Sequence, residues 1–265
     1  MHSHTETRGF AALVDDFLRG MGLGPVAFAL AMTGLGVLAL IYGDFALQWQ
    51  PVPTWLPLRL EVAYLSGLVL LLAGIGLFIR RIAARCALAL TLVLLLCWVL
   101  PQLIKVASVG ISIGSVLGLC ETLAVTTGGW LLWASLSRRG GARIARCLFA
   151  VSCVVFGLSH FVYAGFTAGM IPHWLPLHLG LAYATGAGHL AAGLAILVGI
   201  QARLAAALEA LMMSSFVILV HIPSLIATPS PDWAPTVRIQ LTALCWASAL
   251  AASAWVVARS LREPP

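Results

Sequence analysis

The sequence predicts an all-α membrane protein with eight transmembrane helices, arranged as two tandem four-helix bundles in parallel repeat. Three observations predict it: the composition, the spacing of the apolar runs, and an internal duplication. Of 265 residues, 61% are hydrophobic and 9% are charged, where a soluble domain carries about 25% charge. So few charges cannot cover the surface of a soluble domain of this size. An ordinary cytosolic enzyme, a disordered chain and a disulfide scaffold are excluded. The six cysteines all lie in apolar runs and form no C-x-x-C pair, so they read as small hydrophobes, not as zinc ligands or a redox pair.

Eight runs are long enough to cross a bilayer at about 1.5 Å rise per residue. They are Pro25–Tyr42, Leu58–Ile79, Ala84–Ile104, Val109–Leu136, Ala145–Phe166, Leu177–Ile200, Leu204–Ile226 and Val237–Ser260. Before them, Phe10, Leu13, Val14, Phe17 and Leu18 recur at helical spacing among Asp15, Asp16 and Arg19. That pattern predicts an interfacial amphipathic helix, not a signal peptide. The domains are thus an N-terminal segment 1–24, a first unit 25–138 and a second unit 139–265.

Orientation follows from the basic residues. Arg59, Lys105 and Arg238 fall on one side of the predicted membrane, and the other twelve arginines fall on the opposite side. The positive-inside rule places the arginine-rich side in the cytoplasm of an inner-membrane protein, with both termini there. The net charge of +6 is therefore a topology signal. It points to lipid as a neighbour and away from nucleic acid.

The duplication is visible in fixed offsets. Trp55-Leu56-Pro57-Leu58 recurs 119 residues later as Trp174-Leu175-Pro176-Leu177, followed in register by Ala63-Tyr64 with Ala182-Tyr183 and Gly67 with Gly186. Gly36 and Tyr42 match Gly157 and Tyr163 at 121, Pro101 matches Pro223 at 122, and Leu119-Cys120 matches Leu244-Cys245 at 125. An even number of spans per unit gives both units the same orientation, related by an axis along the membrane normal.

The second unit carries further motifs. Gly157 precedes His160-Phe161; Ile171-Pro172 precedes Leu175-Pro176; Tyr183 and Gly186 follow, then Arg203. This pattern resembles the DoxX family of small four-helix membrane proteins. Its Gly-x-x-His-Phe, Val/Ile-Pro-x-x-Leu-Pro and Tyr-x-x-Gly-x-x-Glu motifs match, except that His189 stands at the acidic position and the threonine before Arg203 is missing. The first unit is more diverged, with Ala39 and Leu70 where the second has His160 and His189. The resemblance implies a four-helix unit and an association with respiratory or thiol redox systems. The family takes its name from the membrane subunit of a thiosulfate–quinone oxidoreductase.

Ionisable groups at bilayer depth are costly and mark functional sites. The intramembrane histidines all lie in the second unit. His160 and His221 fall at similar depth in the outer part of their spans, so they are candidates to share one ligand, a metal included. His178 opens the sixth span. His189 follows it by 11 residues on the same face, roughly 16 Å deeper, and is expected to lie below that ligand. The face bearing His178, Ala182, Gly186, His189 and Gly193 is small and polar, so it should meet protein. Tyr163 and Tyr183 are further candidate ligand contacts.

Glu121 is the one carboxylate near mid-bilayer, with Gly110, Gly114 and Gly118 predicted on the same helical face. Glu61 and Arg59 at the outer end, and Glu209 near the inner end of the seventh span, read as rim groups. Imidazole serves transition metals, haem iron and quinone carbonyls alike, and the spacing does not choose among them. The leading expectation is a membrane subunit of a redox system that engages quinone or a redox partner at an outer histidine-lined site. The alternatives are a non-catalytic scaffold bound to a protein partner or to further copies of itself, and a carrier of a small lipophilic molecule or metal. No glycine-rich nucleotide loop, nucleophile elbow or H-E-x-x-H motif is present to support soluble-type catalysis.

Overall fold

The computed structural model describes residues 22–261, and the predicted amphipathic segment lies almost wholly outside them. Eight helices are long and apolar enough to cross a bilayer, and no strand occurs among the described residues. They are α1 Leu23–Tyr42, α2 Arg59–Gly76, α3 Ala83–Val109, α4 Ile113–Ser137, α5 Ala142–Val162, α6 His178–Val198, α7 Ala202–Ser224 and α8 Val237–Ser260. The lipid bilayer is thus the protein's solvent. On α2, Leu65, Leu68, Leu72 and Ile75 face outward, while Ala63, Gly67, Leu70 and Gly74 are buried. Apart from Leu70, the buried side is made of small residues, because helices in a membrane gain most from close backbone approach.

Neighbouring helices pack in chain order around a ring, and α8 closes it against α1. The fourth helix of each unit lies between the two bundles, and α4 packs on α8. The same contacts recur at the offsets of the sequence repeat. A Cβ on Gly36 would lie 2.7 Å from the carbonyl oxygen of Gly67, and one on Gly157 would lie 2.7 Å from that of Gly186. Glycine is required at these crossings because the opposing atom is backbone and cannot swing aside. Leu58 and Leu177 both enter their helices in the left-handed region, at φ 53° and 57°. Residues 125 apart touch across the centre: a Cβ on Gly128 would fall 2.9 Å from that of Ser253. These contacts are consistent with the duplication.

The third helix of each unit contains a single π-helical turn, Leu95–Val99 in α3 and Val217–His221 in α7. Pro101 and Pro223 explain both. Proline has no N–H and crowds the carbonyl four residues back. The ladder shifts instead, so that Leu100 N–H reaches Leu95 and Ile222 N–H reaches Val217.

Two boundaries differ from those predicted. Gly110, at φ 84°, ends α3 and is not part of α4, which begins after a Ser112–Ser115 capping box. The predicted three-glycine face therefore shrinks to Gly114 and Gly118, which approach Tyr163 and Gln102. The predicted fifth span, Ala145–Phe166, breaks at Tyr163, where a separate short helix, Ala164–Met170, begins.

At the end carrying Arg59, Lys105 and Arg238, Asp44 joins the two units. Its carboxylate lies 2.7 Å from Arg59 and 3.0 Å from Arg238 at the start of α8. Burial works against the ionised carboxyl. The Arg238 hydrogen bond, the Phe45 N–H and Arg59 outweigh it and hold Asp44 below its ordinary value of 3.8. At the opposite end, Arg146 on α5 donates to the hydroxyl and the carbonyl of Ser260 on α8.

Candidate functional site

A cavity of about 630 Å³ lies among α4 to α8 and reaches the end that carries Lys105. That volume falls within the range of about 300–1,000 Å³ usual for small-molecule sites. Phe156, Phe216, Leu250 and Trp246 give it apolar walls, and Lys105, Trp49 and Trp233 also line it. Its polar side chains include His160, His189, His221, Tyr163, Thr185 and Glu121, with Gln48, Lys105, Ser159 and Thr167 also in its wall.

Each polar group is placed by its helix. The face predicted to meet protein on α6 does so except at His178, which is half-buried: Ala182, Gly186, His189 and Gly193 are buried. A Cβ on Gly186 would fall 2.8 Å from that of His160, so α5 approaches closely enough to bring the two imidazoles together. Their ring centroids are 5.0 Å apart and nearly perpendicular. His189 thus does reach the site of His160. His160 lies level with Gly186, about one helical turn from His189, so the two rings meet. His221 lines the same cavity from the π-helical turn of α7, but its ring packs edge-on against Trp233, at 5.5 Å. Its Nδ1 is buried without a partner among the described residues. Glu121 accepts a long hydrogen bond, 3.4 Å, from the indole N–H of Trp246, its partner in the sequence repeat.

Two candidates lie elsewhere. His178 bonds to the Pro172 carbonyl at 3.2 Å, with His173 beside it. Tyr183 stacks on Phe161, away from the cavity lining. No group of three His, Cys, Asp or Glu side chains placed to hold a metal occurs among the described residues.

The reading of Glu209 as a rim group is corrected. It is 1% exposed, and its Oε1 sits 2.7 Å from Nδ1 of His189. The Cys153 thiol donates to the same oxygen at 3.6 Å. The signal was in the sequence. His189 and Glu209 each lie ten residues from Gly199, where the chain turns between α6 and α7, and an antiparallel hairpin sets such positions level with each other.

Fold and site together define a polytopic α-helical membrane protein with a partly polar cavity among α4 to α8. Residues 141–222 match the DoxX family model, so that stretch, which supplies α5, α6 and most of α7 to the cavity wall, is DoxX-like. No curated protein and no solved structure matches the chain.

Proposed function

We propose that this protein is the membrane subunit of a redox system, and that its second bundle holds a small lipophilic molecule, a quinone or a ring compound of similar size. The observation that carries this reading is the cavity. It is of ligand size, and its wall combines apolar and aromatic side chains with a set of polar groups. A lipophilic ring would bury its faces on Phe156 and Phe216 and keep its polar edge for the polar side chains of the wall. The redox setting rests on the DoxX likeness. With the arginine-rich face in the cytoplasm of an inner membrane, the cavity opens toward the outer leaflet, where a redox partner would meet it.

The test is mass and absorption analysis of gently solubilised protein, beside Val220→Trp and a His160→Ala/His221→Ala double variant. Val220 lines the cavity, and tryptophan there fills it. The expected result is a retained small molecule in the wild type, absent from Val220→Trp and reduced in the double variant. Equal amounts of the same molecules in all three samples would overturn the reading.

A further inference from the structure

The hydrogen bonds around His160 and His189 fix which kind of ligand edge they can meet. Thr185 Oγ1 lies 2.9 Å from the Leu181 carbonyl and 3.0 Å from that of Ala182. Carbonyls only accept, so the single hydroxyl proton is spent there. The Thr185 oxygen, 2.9 Å from Nδ1 of His160, must then accept. The Ala182 carbonyl, 3.3 Å from the same nitrogen, also demands a proton on Nδ1. Neutral imidazole carries one N–H, so Nε2 of His160 is a lone pair.

The same logic holds on α6. Glu209 Oε1 already receives the Cys153 S–H and lies 2.7 Å from Nδ1 of His189. An acceptor oxygen there fixes the Nδ1–H tautomer and leaves Nε2 as the free base, as carboxylates behind histidine do elsewhere. Both histidines line the cavity, and neither Nε2 has a hydrogen-bond partner among the described residues. The two rings are flanked by Phe216, 6.3 Å from His160 and 5.9 Å from His189.

The geometry points to a hydrogen-bond acceptor site: paired Nε2 atoms of His160 and His189, held as bases by Thr185 and Glu209, that select a lipophilic ring bearing a hydroxyl over the same ring bearing only ether or carbonyl oxygen. This rests on the cavity reading above and sharpens it. The ligand class is a phenol or the hydroquinone form of a ring pair, whose O–H donates to imidazole. A carbonyl offers these nitrogens nothing. Glu209 is a positioning residue: it does not line the cavity, and it acts through the tautomer of His189.

The test measures binding of a para-alkylphenol and its methyl ether to the solubilised full chain, and of an alkylhydroquinone against its quinone. Equilibrium dialysis serves all four probes. The expected result is that each hydroxyl probe binds about tenfold tighter than its partner, the worth of one good hydrogen bond. Glu209→Gln, whose amide can donate to Nδ1 and turn Nε2 into a donor, should erase or reverse that ratio. A merely structural role would weaken all four probes alike. Thr185→Val makes the corresponding test at His160 should Glu209→Gln fail to fold. Equal affinities within both pairs would overturn the acceptor site and leave the cavity reading standing. No binding of any probe would overturn both.

Discussion

The two bundles differ in what fills the middle, and each takes a side chain from the other half of the chain: Trp246 of α8 enters the first and Glu121 of α4 the second. In the first bundle, Trp98 and Trp246 stack at 4.6 Å with planes 11° apart, and both are fully or almost fully buried. Leu70, Phe28 and Met32 complete that core. In the second bundle the repeat positions carry smaller or polar groups: Val220 for Trp98, Glu121 for Trp246, His189 for Leu70 and His160 for Ala39. The remaining space beside Asp44 in the first bundle is about 10 Å³, against about 630 Å³ in the second. Helix plan and interior content are thus separable. Glycines and prolines set the crossings and π-helical turns in both halves of the chain, while two indoles decide which bundle is solid.

The difference can be broken in either direction. Val220→Trp should erase it by filling the second bundle, with complete loss of the retained small molecule by mass spectrometry and an unchanged helical circular dichroism spectrum. Ligand retention at the wild-type level in a folded variant would refute it. Trp98→Ala should open a hole in the first bundle and cost about 3–5 kcal/mol, read as a lower midpoint of thermal unfolding in detergent. A midpoint equal to the wild type would mean that the stacked indoles are not what holds that core.

What the units share can be tested as well. Gly36→Ala and Gly157→Ala each push a methyl group onto backbone, and each should cost about 1–3 kcal/mol. The costs should match to within a factor of about two, because the crossings are the same. A large cost in one unit alone would show that the equivalent contacts do not carry equivalent weight.

The smallest effect concerns the link between the units. Asp44→Asn should lower stability by at most about 1 kcal/mol, since the ion pairs are about one-third exposed and partly screened. The folded-state value of the Asp44 carboxyl lies below its ordinary 3.8. Its contribution is therefore present above that ordinary value and is lost as pH falls through the folded one. Unfolding curves of wild type and Asp44→Asn should accordingly differ near neutral pH and converge in acid. A difference that persists under acid conditions would assign the effect to packing.

The helix plan was legible because membrane spans are long one-dimensional signals, and the repeat because Trp-Leu-Pro-Leu is hard to match by chance. The histidines of the second unit were legible as candidates because charge-capable groups stand out in apolar runs. Less legible was who meets whom. Counting depth along single helices set His189 apart from His160 and put Glu209 at the rim, since depth along one span says nothing of its neighbour's register. The hairpin turn at Gly199 supplies that register for Glu209, and the crossing of His160 with Gly186 supplies it for His160. The cavity itself was invisible in sequence. It arises from absent bulk, and absent bulk shows only when Val220 is compared with Trp98 in space.

The contact between Trp246 and Glu121 carries one more consequence. Residues related by a two-fold axis and touching across it must be identical in a symmetric pair of separate chains. Such a pair would present two tryptophans or two glutamates at that spot, and so would have both interiors plugged or both hollow. Joining the units in one polypeptide lifts that restriction. One half is free to become a rigid buttress while the other keeps the vacancy, so a division of labour closed to a homodimer is open to this chain.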